Sequence, residues 1–237
     1  MKKKMMASLL IRGAVVVANL APLSAQAVTT GNTPVTATFE GGTLPDGNGD
    51  ANTVDPDQNG SNSNFDLLYI PREFDFGKLS ISDDLTQPIL NKEDESGDSA
   101  YAEKIGIGDM RGTKEGWHVT AQSNGLNQGS ETLQGSIAFG TLRGYVLKYD
   151  ETSNRYIREV AINNPEISPE IPINKDLKVV LGGDAQVIAN ASSGKGQGLW
   201  EFTLFDTSLN ITTPYQQIKA GAYTGSVTWN LVAGPSI

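Results

Sequence analysis

The sequence contains no cysteine and a single histidine, His118. Without cysteine the chain can form neither a disulfide nor a thiolate metal site, and a Cys–His nucleophile is excluded. His118 lies between two residues that we expect to point inward, so its side chain should face solvent rather than serve a catalytic triad. We therefore predict no enzymatic activity, no bound metal and no cofactor.

Basic residues are also scarce, since 18 Lys and Arg stand against 27 Asp and Glu. Four of the cations lie in the first 27 residues, which contain no acid, so the rest of the chain has 14 basic and 27 acidic residues and a net charge of −13. Nucleic acids and anionic lipid headgroups attract clusters of Lys and Arg. The charge therefore argues against both classes of partner.

The first 27 residues have the layout of a secretory signal peptide. Three lysines at positions 2–4 form a basic start, an apolar stretch is centred on residues 13–23, and residues 24–27 supply the small side chains of a cleavage site. The apolar stretch is shorter than the ~20 residues of a membrane span. We expect an exported product that begins at Val28 and does not insert into the membrane.

Residues 28–64 are expected to form one strand, at residues 35–39, followed by an acidic linker. Positions 41–64 are rich in Gly, Asn, Asp, Pro and Ser and have almost no apolar residue, a composition that favours solvated chain over a packed element. Five side chains here echo the spacing of a calcium loop: Asp46, Asn48, Asp50, Asn52 and Asp57. Because Ala51 occupies the place of the required turn glycine, a linker is the preferred interpretation and a calcium site the alternative.

Beyond residue 64 the sequence consists of short strand-like runs separated by turn residues, with no long segment of helical periodicity. Strands are expected at residues 65–70, 74–81, 117–121, 136–139, 142–149, 177–181, 199–205 and 223–231. Many short strands with regular turn punctuation are typical of an all-β sandwich or barrel-like fold. We predict one such domain over residues 65–237.

Two of these strands alternate clearly between apolar and polar residues. In residues 223–231 the odd-numbered positions, which include Trp229, form an apolar face, and the even-numbered positions are polar. Trp200, Phe202 and Leu204 should likewise point inward. A large aromatic on an apolar strand face is usually core, so we favour packing for Trp117 and Trp229 over stacking on a sugar ring.

Two tryptophan motifs organise the sequence. Residues 109–120 read Asp-Met-Arg-Gly-Thr-Lys-Glu-Gly-Trp-His-Val-Thr, and residues 223–235 read Tyr-Thr-Gly-Ser-Val-Thr-Trp-Asn-Leu-Val-Ala-Gly-Pro. Together they resemble the proximal and distal motifs of the WxL-domain family, surface proteins of Gram-positive bacteria. The proximal motif retains Trp117 but has Val119 in place of the usual leucine. The distal motif matches at every fixed position, namely Tyr223, Val227, Thr228, Trp229, Leu231 and Pro235.

The resemblance implies noncovalent attachment to the cell wall, with peptidoglycan as the ligand and no enzymatic activity. It also implies possible complexes with other surface proteins encoded nearby, and for some members adhesion to host matrix. Two alternatives stay open. The protein could be a subunit that a membrane-anchored partner holds at the surface, or a wall-active glycosidase that uses acidic pairs such as Asp83 and Asp84.

Overall fold

The computed structural model describes residues 33–50, 52–92, 102–171 and 177–236. The expected signal peptide lies outside these residues. The chain divides into two compact units, Met1–Thr38 and Phe39–Ile237. In the first unit, the described residues 33–38 are extended and exposed, without regular secondary structure.

The described residues form an all-β, sandwich-like fold in which every strand pair is antiparallel. A single 3-10 turn, Tyr215–Gln217, is the only helical element assigned among them. None of their helices could span a membrane. The strands are β1 Thr53–Val54, β2 Phe65–Pro71, β3 Ile89–Leu90, β4 Ala102–Asp109, β5 Trp117–Ser123, β6 Leu126–Gln128, β7 Glu131–Leu133, β8 Gly135–Ala138, β9 Thr141–Asp150, β10 Arg155–Ala161, β11 Lys178–Val180, β12 Gln186–Ala191, β13 Gly198–Phe205, β14 Ser208–Ile211 and β15 Val227–Ala233.

Three sheets and one hairpin make up the fold. The largest sheet has six strands in the order β1-β2-β4-β13-β9-β10. A four-stranded sheet has the order β11-β8-β14-β3, a three-stranded sheet has the order β12-β5-β15, and β6 pairs with β7. The main core is built from apolar side chains of all three sheets, including Ile105, Phe202, Ile137 and Trp117. One face of the six-stranded sheet therefore packs against the two smaller sheets.

Most of the expected strands are confirmed, with ends shifted by one or two residues. The strand expected at 223–231 begins only at Val227. The strand expected at 74–81 is wrong, because the described chain there is an irregular loop. Asp75 accepts a hydrogen bond from the backbone N–H of Gly77 at 2.7 Å, and Gly77 has φ of +76°, so the chain turns instead of extending.

The strand expected at residues 35–39 is also wrong, since residues 33–47 carry no strand. Val35 is 90 % exposed and Phe39 is 93 % exposed. A strand-like run forms a strand only where a neighbouring strand accepts its backbone hydrogen bonds. The described structure gives these residues no such neighbour, so the alternating pattern is not used.

The second face of the six-stranded sheet is covered by the segment that composition predicts to be a flexible linker. Leu44 is buried in a small cluster with Leu68, Tyr69, Leu147 and Tyr156, and β1 of this segment pairs with β2 at the edge of the sheet. The prediction of an unpacked linker therefore does not hold for residues 44–54. A Cβ atom at Gly108 of β4 would lie 2.6 Å from the Leu44 side chain, so a glycine makes room for this packing.

Candidate functional site

The two tryptophan motifs meet side by side in the three-stranded sheet. β5, which begins at Trp117, pairs with β15, which contains Trp229, and in this register Val119 lies opposite Leu231. Trp117 and Val119 are fully buried, and Trp229 is 9 % exposed. Both tryptophans therefore pack in the main core, as the alternation predicts.

The indole of Trp117 is held by a hydrogen bond as well as by packing. Its Nε1–H donates to the carbonyl of Gly196 at 2.9 Å, and the Nε1–H of Trp200 donates to the same oxygen at 2.8 Å. The ring of Phe202 meets Trp117 edge to face, with centroids 6.3 Å apart. Gly196 has φ of +77°, a conformation that favours glycine. A Cβ atom there would also lie 2.5 Å from Trp117 Nε1, so a larger residue would collide with the indole.

The residues that precede Trp117 surround the Arg111 side chain with hydrogen-bond acceptors. Its guanidinium donates two hydrogen bonds to the Asp109 carboxylate, at 2.8 and 2.9 Å, and a third to the carbonyl of Gly116 at 3.0 Å. It also lies 3.6 Å above the centre of the Phe65 ring and contacts Glu115. The hydrogen bonds to Asp109 raise the pKa of Arg111. This part of the proximal motif therefore fixes where β5 begins.

The end of the distal motif lies beside Gly116, the residue before β5. The backbone N–H of Gly234 donates to the carbonyl of Gly116 at 3.0 Å. The Nδ1 atom of His118 lies 2.9 Å from the Gly234 carbonyl oxygen. The expectation that His118 simply faces solvent is therefore wrong, because the ring is half-buried and bonded to the chain end that follows β15. Pro235, the last motif residue, is exposed.

The first half of the distal motif forms one wall of a groove. The N–H and C=O of Thr224 pair with those of Asn127 at 3.0 and 2.9 Å, and the Ser226 N–H donates to the Asn124 side chain at 2.7 Å. These bonds hold residues 223–226 against the β5–β6 turn. A Cβ atom at Gly225 would lie 1.8 Å from the Gly125 carbonyl, so this close approach requires glycine.

The groove has a volume of about 450 Å³. Its opposite wall comes from the irregular loop that follows β2, whose Phe74 also contacts Phe139. Sequence reasoning missed this site, because it assigned the loop to a strand. The side chains that line it are aromatic, apolar and hydroxyl-bearing, together with one cation and one carboxylate: Phe74, Phe76, Tyr223, Trp229, Leu126, Val227, Ser123, Ser226, Arg72 and Glu73.

The sequence-predicted residues divide between the core and the groove. Trp117, Val119 and Leu231 belong to or pack against the core. Tyr223, Val227 and Trp229 pack there too and also line the groove, so Trp229 stands at the boundary between the two. Thr228 is exposed on the other side of β15. The apolar alternation of residues 227–231 is confirmed by these positions.

A buried polar layer lies on the second face of the six-stranded sheet. The Glu201 carboxylate accepts hydrogen bonds from Tyr69 at 2.8 Å, Arg158 at 2.7 Å and Thr203 at 2.8 Å. Burial, followed by the nearby Glu201 charge, raises the pKa of Tyr69. Trp200, Phe202 and Leu204 point into the main core, as the alternation predicts. The odd-numbered positions between them are not wetted, however, because Glu201 and Thr203 are buried as well.

Acidic side chains within residues 46–57 accept hydrogen bonds from backbone N–H groups of residues 52–62. Asp46 accepts from the N–H of Asn62 at 2.6 Å, Asp50 from that of Asn52 at 3.2 Å, and Asp57 from that of Asn59 at 3.4 Å. Within the part of the chain that the structure describes, no three His, Cys, Asp or Glu side chains come together as metal ligands would. These carboxylates stabilise turns.

The described residues form a β-sandwich-like domain with a groove at its surface. The family model described as WxL domain surface cell wall-binding matches residues 26–235. The chain therefore belongs to the WxL domain surface cell wall-binding family, and the protein is a cell-wall-associated surface protein. Comparisons with curated proteins and with solved structures gave no match.

Proposed function

We propose that the protein is a noncatalytic attachment protein that binds peptidoglycan in the groove beside β15. The observation that supports this proposal is the lining of the groove, where Phe76, Tyr223 and the edge of Trp229 adjoin Ser226 and Arg72. Aromatic rings stack on the apolar faces of sugars, and hydroxyl and guanidinium groups bind the amide and carboxylate groups of wall peptides.

The charge balance supports contact of this kind rather than bulk attraction. The chain beyond residue 27 has a net charge of −13, and a wall rich in teichoic-acid phosphate is also anionic. Long-range electrostatics therefore opposes binding at low salt. Stacking and short hydrogen bonds in a groove work independently of the net charge, and Arg72 supplies one local cation.

The glycosidase alternative has little support in the groove. Hydrolysis of a glycosidic bond uses two carboxylates on opposite sides of the bond. Among the described residues that line the groove, Glu73 is the one carboxylate. Glu201 is engaged by Tyr69, Arg158 and Thr203, which disfavours its use as a proton donor.

Capture by a protein partner is a second candidate, because β15 is the last strand of its sheet. The bonds from Gly234 N–H to Gly116 and from Asn124 N–H to Ser226 show that even-numbered residues pair with β5. The backbone groups of Trp229 and Leu231 therefore face away from β5. An extended segment of a partner could add to this edge as a further strand.

Sedimentation with purified, protein-free peptidoglycan tests the first candidate against the second. We expect the wild-type protein to sediment, and Tyr223→Ala to weaken binding about tenfold, equivalent to ~1.4 kcal/mol. Tyr215→Ala is the matched control, because Tyr215 is 57 % exposed and lies outside the groove lining. Melting temperatures of both variants separate lost binding from lost folding.

A wild-type protein that stays in the supernatant would contradict groove binding and favour capture by a partner. Sedimentation that Tyr223→Ala and Phe76→Ala leave unchanged would place the wall contact outside the groove.

A further inference from the structure

A buried lysine on β4 contacts a carboxylate from the segment that covers the sheet. Lys104 Nζ touches Asp50 Oδ2, and the two side chains are only 8 % and 20 % exposed. Lys104 takes no part in the groove, and the two residues are 54 positions apart in the chain.

The groups around Lys104 favour its neutral amine. Burial, followed by the charge of Arg158, lowers the pKa of Lys104, although the Glu201 carboxylate acts in the opposite direction. Lys104 lies directly opposite Thr203 on β13, and Arg158 donates to the Thr203 hydroxyl at 2.8 Å. A second cation beside a desolvated lysine is a known way to make its amine nucleophilic.

The Asp50 carboxyl group is held in place beside that amine by hydrogen bonds from the turn that follows it. Its Oδ1 accepts a hydrogen bond from the Asn52 N–H at 3.2 Å, while Oδ2 faces Lys104. The Asp50 backbone carbonyl accepts two more bonds, from the N–H and the hydroxyl of Thr53 at 3.1 and 2.9 Å. A donor fixed on one oxygen stabilises the negative charge that develops there when a nucleophile adds to the carbon.

We propose that Lys104 and Asp50 condense to form an intramolecular amide between Nζ and Cγ. A proton first moves from Nζ to Oδ2, which converts the ion pair into a neutral pair. The Nζ lone pair then adds to Cγ of the carboxylic acid, and Oδ1 takes the negative charge beside the Asn52 N–H. The Cγ–Oδ2 bond then breaks, and Oδ2 leaves as water after it takes a proton from Nζ. Amine and carboxylic acid give amide and one water, with no change of oxidation state.

The amide would replace an ion pair that carries a desolvation cost with a neutral cross-link. Both charges of the pair are removed from a buried site, which avoids the cost of keeping them there. The cross-link closes a loop from residue 50 to residue 104 and fastens the covering segment to the sheet. In a chain without cysteine, it supplies the kind of constraint that a disulfide provides elsewhere.

Mass spectrometry of the full chain, denatured and digested with trypsin, tests the proposal. We expect an intact mass lower than the sequence mass by one water. The peptide that contains Asp50 should be joined to the peptide that spans Lys104, and trypsin should not cleave after Lys104. A full mass with normal cleavage after Lys104 would show an ion pair only and would overturn the proposal.

Two variants sharpen the test. Lys104→Arg keeps the charge but should restore the full sequence mass, whereas Asp50→Asn should condense with loss of ammonia instead of water. A water loss that persists in Lys104→Arg would indicate a local succinimide and would also overturn the proposal. The readout is taken on denatured peptides, so it does not depend on how stably a variant folds.

Discussion

The two faces of the six-stranded sheet are covered in different ways. On one face, the motif strands β5 and β15 bury Trp117, Val119 and Trp229 in a large apolar core. On the other face, a segment of low hydrophobicity contributes Leu44 and is otherwise held by tyrosines and polar contacts. The comparison shows that composition alone underestimates packing where a well-ordered sheet offers many fixed hydrogen-bonding partners.

Trp117→Ala should have the largest effect, since it removes a fully buried indole and its hydrogen bond to Gly196. We expect a loss of ~3–5 kcal/mol in the free energy of unfolding, a large share of a typical ~5–15 kcal/mol. Guanidinium denaturation measures it. Val232→Ala, at an exposed position of β15, is the control and should change stability little. A Trp117→Ala protein of near wild-type stability would contradict the core role of the proximal motif.

Leu44→Ala should have a smaller effect. We expect it to lower the free energy needed to open the covering segment by ~2 kcal/mol, at the lower end for a buried leucine. The covering segment can open while the main core stays folded, so we expect a local change rather than global unfolding. A protease that cleaves before aspartate should cut within residues 46–57 faster than in the wild type, while the guanidinium midpoint moves little. If Leu44→Ala and Trp117→Ala lower the guanidinium midpoint by the same amount, the coverings of both faces unfold as one unit.

Tyr156→Phe should have the smallest effect, because it removes only the hydroxyl that donates to the Pro45 carbonyl. We expect a loss of ~1 kcal/mol at neutral pH. Burial raises the pKa of Tyr156, so its contribution is complete below the ordinary tyrosine pKa of ~10 and is lost as the pH rises above it. The stability difference between Tyr156→Phe and wild type should therefore shrink in alkaline solution. A difference that is independent of pH would show that this hydroxyl titrates normally.

The motif region could be read from the sequence because its strands are half-buried. Residues 227–231 alternate between an apolar and a polar face, and the structure places them that way. The central strand β4 has no such pattern, and no strand was expected there. Both of its faces are covered, Glu103 and Lys104 are buried, and Gly106 and Gly108 leave room for Tyr69 and Leu44. A strand that accommodates its neighbours in this way does not alternate.

The groove could not be predicted either, since its walls are distant in sequence. Phe74 and Phe76 read as strand residues, but the turn at Asp75 and Gly77 converts them into a wall facing Tyr223. The Lys92 ammonium also holds the Asp75 carboxylate, at 3.0 Å. Such long-range positioning leaves no local periodicity, whereas the spacing of the distal motif is local and is visible in the sequence.

The placement of the three tryptophans has a spectroscopic consequence. Trp117 and Trp200 are sealed in the core and donate to the same Gly196 carbonyl, so dissolved quenchers have little access to their rings. Trp229 alone among the three also lines the groove. Quenchable indole fluorescence therefore originates at the groove, and the native protein carries its own optical probe for whatever occupies that site.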